Sequence, residues 1–116
     1  MTSNHLRILE IKEVLVMPGL GHFQLYEDTS RERESWDRYL WRGRSPTGHT
    51  VIAKYDSAHL FLPMRIFVEP DIDTCHKLAD GSICYLKDFE WSPNWTAATA
   101  ILTAFRFLDE YGKGLL

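Results

Sequence analysis

The feature that most constrains the fold of this chain is an apolar stripe close to its C-terminal end. From residue 97 to residue 111, apolar side chains recur every three or four positions, which is the spacing of one face of an α-helix. They are Ala97, Ala100, Ile101, Ala104, Phe105, Leu108 and Tyr111. Gly112 comes next and favours the end of the helix there. The sequence therefore predicts a long helix, and its small alanine side chains let it lie close to a sheet.

Four earlier stretches alternate between apolar and polar residues, as strands with one buried face do. They are His22 to Tyr26, Arg38 to Arg44, Thr50 to Tyr55 and Arg65 to Val68. In the second stretch, Tyr39 and Trp41 face opposite to the charged residues. Because the connections are short, with a turn signal at residues 45–48, the four strands are predicted to form an antiparallel meander.

The N-terminal stretch from Leu6 to Val16 has Ile8, Ile11 and Leu15 at helical spacing. Other residues of the same stretch would also fit a strand, so both readings stay open and the helix is favoured. The predicted fold is α+β: a four-stranded antiparallel meander sheet packed against a long C-terminal helix, with a short N-terminal helix. The chain has 116 residues and shows no repeat or linker, so residues 1–116 are predicted to form a single domain.

Composition narrows the class of protein. The chain is 45% hydrophobic and 13% aromatic, which is enough to bury a core. A formal net charge of −3 offers no general attraction to nucleic acid or anionic lipid. No apolar run approaches the ~18–20 residues of a membrane span, and the first residues do not look like a secretory signal. Cytoplasmic localisation is therefore expected, with no membrane partner and no nucleic-acid partner.

A cysteine and a Trp-Ser-Pro corner lie directly before the C-terminal helix. The two segments read Gly81-Ser82-Ile83-Cys84-Tyr85-Leu86 and Trp91-Ser92-Pro93-Asn94-Trp95-Thr96. This order resembles the active-site half of a ubiquitin-conjugating enzyme, which reads Gly-x-Ile-Cys-Leu, a short loop, Trp-Ser-Pro and a Thr that opens a long helix. Tyr39 to Gly43 is also similar to the family's second strand. The resemblance implies a ubiquitin-conjugating-like core and a thioester-forming nucleophile at Cys84.

The segment before the cysteine is similar to that of bacterial members. Eukaryotic members carry His-Pro-Asn there, whereas this chain keeps His76 and the pair Asp80-Gly81. The resemblance is thus to minimal bacterial conjugating enzymes, which occur beside activating enzymes and ubiquitin-like proteins. Some occur in anti-phage signalling systems, where they modify or bind a nucleotide cyclase. It implies a transferase whose partners are an activating-enzyme-like protein and, as cargo or target, a ubiquitin-like protein or a nucleotide cyclase.

Three residues of this segment are candidate catalytic residues. Cys84 would take an acyl group by transthiolation as the thiolate, and the resulting thioester would react with an amine. His76, eight positions earlier, could act as a base or hold the loop. Asp80 could orient an amine or lower its pKa, although Asp-Gly pairs are also common in turns. Donors for the oxyanion would be the backbone amides of residues 82–84, or His76.

Cys75 raises two further hypotheses. It could pair with Cys84 as a disulfide, although intracellular dithiols mostly stay reduced. Together with His76 and Cys84 it could bind zinc. Adjacent residues seldom reach one ion, and the sequence has no second Cys or His pair. The sequence therefore predicts neither a metal nor a cofactor.

Two functions compete with conjugation. A non-catalytic adaptor of the same fold would bind a ubiquitin-like protein or a nucleotide cyclase without chemistry. A binder of single-stranded nucleic acid would use aromatic and basic side chains of the second strand and its approach. These are Trp36, Arg38, Tyr39, Trp41, Arg42 and Arg44. An ordinary strand with one buried and one charged face accounts for the same pattern more simply. Because of the resemblance around Cys84, the enzyme is the leading interpretation.

Overall fold

One antiparallel sheet and one long helix make up most of the regular structure in the part of the chain that can be described. The computed structural model describes residues 9, 20–32, 35–59, 61–74, 76–86, 91–92 and 95–115. The strands are β1 (Gln24–Glu27), β2 (Tyr39–Arg44), β3 (Thr50–Lys54) and β4 (Arg65–Glu69), and each pairs with the next in antiparallel register. The helix, α1, spans Ala97–Gly112. The fold is α+β, which confirms the predicted meander and C-terminal helix.

The alternation of the central strands decides which face of the sheet is buried. In β2, Tyr39 is 2% and Trp41 is 8% exposed, whereas Arg42 is exposed. Trp41 lies opposite Ala53 of β3, and Ala53 lies opposite Ile66 of β4. The buried side chains of these strands belong to one core cluster that also contains the buried face of α1. The predicted orientation of Tyr39 and Trp41 is therefore confirmed.

The first strand begins at Gln24 rather than at His22, where the alternation starts. The Phe23 N–H donates to the carbonyl of Leu20 at 2.9 Å and so closes a turn ahead of the strand. The Phe23 ring then packs over Gly43 of β2, where an added Cβ would come within 2.5 Å of the ring. Only glycine leaves room for the ring at that position.

The buried face of α1 is rotated slightly from the predicted one. Thr96 is the N-cap, and its side chain accepts a hydrogen bond from the Thr99 N–H at 3.4 Å. Phe105 and Tyr111 were expected in the core but are only partly buried, and Phe107 is buried instead. The Phe105 ring lies at the margin of the core, 5.9 Å from the ring of Phe23. Packing against the neighbouring elements, and not helical spacing alone, therefore decides which residues of α1 are buried.

Leu9 is in helical conformation and is 2% exposed, as part of the same core. The other residues of the predicted N-terminal helix lie outside the described residues. Within the described residues, no helix has the length and apolar character needed to cross a membrane.

Candidate active site around Cys84

Residues 76–84 form a short hairpin, named here the cysteine hairpin. Lys77 pairs with Ile83 in an isolated antiparallel bridge, and the Cys84 N–H donates to the carbonyl of His76 at 2.7 Å. At the turn, Gly81 has a φ of +89°, a conformation that favours glycine. These hydrogen bonds confirm that the Asp80-Gly81 pair lies in a turn.

The cysteine hairpin is fixed to the edge of the sheet on both sides of Cys84. The Ile83 N–H donates to the carbonyl of Ile66 in β4 at 2.8 Å, and the Ile83 side chain is buried. The Tyr85 hydroxyl donates to the carbonyl of Met64 at 2.8 Å. Burial raises the pKa of Tyr85, so this hydroxyl keeps its proton as the donor. Because side chains alternate in extended backbone, two inward neighbours direct Cys84 outward.

Cys84 is exposed and carries a free thiol, as a nucleophile that must meet two large partners requires. The Lys77–Ile83 bridge places His76 directly opposite Cys84 in the hairpin. Directly opposed residues share one face of a strand pair, with Cβ atoms roughly 4.5–5.5 Å apart. The exposed His76 ring also lies edge-on to Phe107 of α1, with 6.1 Å between centroids. The fold thus pairs the backbones of His76 and Cys84 and sets both side chains on one face of the hairpin.

Asp80 is engaged in the turn. One oxygen of its carboxylate accepts the Ser82 N–H at 2.9 Å and the Ser82 hydroxyl at 2.5 Å. The other lies 3.4 Å from Arg65 of β4, which also lies 3.7 Å from Asp56. The hydrogen bonds from Ser82, assisted by the Arg65 guanidinium, hold the pKa of Asp80 below its usual value. Asp80 is therefore an anion that stabilises the turn, and a catalytic role for it stays a prediction.

The predicted oxyanion donors are not available in this structure. The Ser82 N–H donates to Asp80, the Ile83 N–H to Ile66, and the Cys84 N–H to His76. The expectation that the amides of residues 82–84 stabilise an oxyanion is therefore wrong for this conformation. The imidazole of His76 is the remaining donor among those that the sequence suggested.

A pocket of about 200 Å³ opens beside Cys84. Its walls include Met64, Leu78, Ile83 and Leu86. The sequence did not indicate this pocket, because its walls come from β4 and its approach as well as from the cysteine hairpin. The same is true of the Arg65–Asp80 pair, whose members lie in two different elements. An arginine at the start of an edge strand gave no signal of its own.

The two aromatic residues of the second strand are not available to stack on bases. Trp41 is buried and its indole N–H donates to the Tyr55 hydroxyl at 3.0 Å. Tyr39 is buried as well, and Arg38 binds Glu27 at 3.0 Å. These contacts confirm the simpler reading of a strand with one buried face.

The disulfide and zinc hypotheses both involve Cys75, which lies outside the described residues. The Cys84 thiol is free in this structure, so it is not paired in a disulfide. Among the residues that are described, no group of three or more His, Cys, Asp and Glu side chains is arranged to hold a metal ion. Trp91 and Trp95 are partly buried against the core, with 5.5 Å between their ring centroids.

No protein-family model, curated protein or solved structure matches the chain.

Proposed function

We propose that this protein is a ubiquitin-conjugating-like acyl carrier with the ubiquitin-conjugating-like core that its sequence predicts. It accepts a ubiquitin-like protein, or another protein C-terminus, as a thioester on Cys84 from an activating-enzyme-like partner. It then passes the acyl group to an amine or to a partner protein, for which a nucleotide cyclase is one candidate. The setting is a bacterial conjugation or anti-phage signalling system in the cytoplasm. The observation that carries the proposal is the exposed, free Cys84 thiol between two anchored neighbours.

The first step is transthiolation. The Cys84 thiolate attacks the carbonyl carbon of the donor's thioester, a new S–C bond forms, and the donor's sulfur leaves as a thiolate. The proton of Cys84 passes to a base, and His76 faces Cys84 across the hairpin. Imidazole suits this task because it exchanges protons near neutral pH. The leaving thiolate takes up a proton, so the step is balanced.

The second step is aminolysis. The acceptor's neutral amine attacks the thioester carbonyl, the C–N bond forms, and the C–S bond to Cys84 breaks. The amine loses one proton, and the departing Cys84 thiolate recovers one. Negative charge builds on the carbonyl oxygen during the attack, and a hydrogen-bond donor lowers the barrier. Because the nearby hairpin amides are engaged, His76 or the partner protein supplies that donor.

The engaged amides favour one alternative function. A non-catalytic adaptor of the same fold needs no oxyanion donor, and its cysteine would line a binding surface instead. The adaptor would bind a ubiquitin-like protein or a nucleotide cyclase equally well with and without the Cys84 thiol. The two functions therefore differ in what substitution of Cys84 does.

The test is the intact mass of the tagged protein, purified from its native host at mildly acidic pH without reductant. A carrier is expected to show a heavier species that hydroxylamine or a thiol releases, since both cleave thioesters. The Cys84→Ala variant should lack this species. If no releasable adduct forms, and the same partners co-purify equally with both proteins, the adaptor replaces the carrier.

A further inference from the structure

The pocket beside Cys84 has the size of a site for one side chain. Its volume is about 200 Å³, whereas pockets for drug-sized ligands hold roughly 300–1,000 Å³. Four apolar side chains, those of Met64, Leu78, Ile83 and Leu86, contribute to its walls. Leu78 is 52% exposed, so an apolar occupant would cover a leucine that water now reaches. The pocket is too small for a whole cofactor and suits a single apolar group.

The side-chain hydroxyls at the pocket already have partners within the protein. The Ser82 hydroxyl donates to Asp80, and the Tyr85 hydroxyl donates to the carbonyl of Met64. Arg65, the charged residue of the lining, lies between the carboxylates of Asp80 and Asp56. The buried Nε of Arg65 has no hydrogen-bond partner, but an anionic occupant that approached it would meet the carboxylates of Asp80 and Asp56. A neutral polar side chain would lose water while both hydroxyls are already engaged. The chemistry of the walls favours an uncharged aliphatic side chain.

We infer that this pocket selects the acyl donor by the side chain that lies one residue before the thioester-forming residue. The inference rests on the proposed function, because it requires an acyl group on Cys84. Since Cys84 itself lines the pocket, the last residues of a chain joined to its sulfur lie within reach of the opening. An aliphatic side chain at that position would fill the pocket, whereas glycine would leave it empty. The predicted donor is a protein whose C-terminal segment carries leucine, isoleucine or methionine there.

The experiment uses two synthetic peptide thioesters, acetyl-Ala-Ala-Leu-Gly and acetyl-Ala-Ala-Gly-Gly, each with 2-mercaptoethanesulfonate as the leaving thiol. Both peptides carry glycine at the reacting carbonyl, which keeps their intrinsic reactivity nearly equal. The rate of each peptide with free glutathione in the same buffer corrects for any difference in reactivity that is left. Cys84 acylation is followed by intact mass on the full chain. The leucine peptide is expected to react about tenfold faster or more, which is the discrimination that a filled hydrophobic pocket gives.

Two variants distinguish binding in the pocket from non-specific hydrophobic binding to the protein surface. Leu78→Ser removes a wall residue and should abolish most of the preference for leucine. Leu102→Ser is the matched control, because Leu102 is 54% exposed on α1 and is not part of the pocket lining. Equal corrected rates for both peptides, or an equal loss of preference in both variants, would overturn the inference and leave thioester carriage standing. If neither peptide acylates Cys84 while glutathione reacts, the proposed function fails together with the inference.

Discussion

The sheet and the cysteine hairpin are held together in different ways. β2 and β3 pair over five residues on each strand, and Val51 and Ala53 at their centre are fully buried. The cysteine hairpin instead has one isolated bridge with a few hydrogen bonds around it, one edge hydrogen bond to β4 and a partly exposed ion pair between Arg65 and Asp80. The sheet should therefore set the stability of the whole protein, whereas the hairpin sets how Cys84 is presented. Substitutions in the two regions should have separable effects.

The largest effect is expected in the core. Ile101 is fully buried in α1, and Ile101→Ala should lower the free energy of unfolding by about 2–5 kcal/mol because it leaves a cavity. Leu102→Ala, at the exposed neighbouring position, should change it by a small fraction of that. Denaturant unfolding measures both. The alkylation rate of Cys84 in the folded protein should stay the same in the two variants, and a clear change in Ile101→Ala would erase the distinction between the regions.

Removing the imidazole opposite Cys84 should act on chemistry rather than on stability. His76 is exposed, so His76→Gln should leave the unfolding midpoint nearly unchanged. The rate of Cys84 acylation by a thioester should fall by about 10²-fold if His76 is the base. The pH profile of the rate is the decisive readout, because a residue that only holds the hairpin would lower the rate without changing the profile. An unaltered rate would show that His76 takes no part in the chemistry.

A substitution in the turn of the cysteine hairpin should have an intermediate effect on stability. Gly81 has a positive φ and no atom within 4 Å of an added Cβ, so Gly81→Ala adds backbone strain without a clash. The strain should cost about 1–2 kcal/mol. We expect much of it to be relieved by opening of the hairpin, which amide exchange at Cys84 and Leu78 would report as faster exchange. Gly21→Ala has equally open surroundings but no positive φ, and it should leave that exchange unchanged.

The smallest effect is the pH dependence of the turn. The pKa of Asp80 in the folded protein lies below the value of about 3.9 for an unfolded chain. Its contribution to the free energy of unfolding is therefore complete at pH values above that unfolded value. The contribution is lost as the pH falls through the folded pKa, and it should amount to about 1 kcal/mol or less.

The amide resonance of Ser82 reports on this titration, and its midpoint should lie below that of an ordinary carboxyl. Asp80→Asn should abolish the transition at Ser82. Ser30, which donates to Asp28 in the same way, is the internal control and should keep its own transition. A midpoint at the ordinary value would mean that the hydrogen bonds from Ser82 do not persist in solution.

Much of the sheet could be predicted because its determinants are local. The two-residue alternation of β2 shows directly that Tyr39 and Trp41 are buried, and the turn signal at residues 45–48 fixes its pairing with β3. The helix was predicted for the same reason, although contacts with other elements decided that Phe107 rather than Phe105 is buried.

The candidate site was only partly predictable because its determinants are individual contacts between distant residues. The Asp80-Gly81 pair predicts a turn, but it does not predict the register of the hairpin, which sets His76 opposite Cys84. The Ile83 amide is engaged by Ile66, a residue of another element, so the expectation of free amides was wrong. Neither the Arg65–Asp80 pair nor the pocket has a sequence pattern, since both exist only after β4 and the hairpin have come together.

The measurement that tests acyl transfer most directly is an ester trap at position 84. Tagged Cys84→Ser protein is expressed in the native host, where a serine would hold the acyl group as a more stable ester. Its intact mass is compared with that of wild type and Cys84→Ala. We predict a heavier species in Cys84→Ser that mild base removes and that Cys84→Ala lacks, and the added mass identifies the cargo. The absence of any adduct, with the same partners retained by all three proteins, would contradict acyl transfer and make this chain an adaptor.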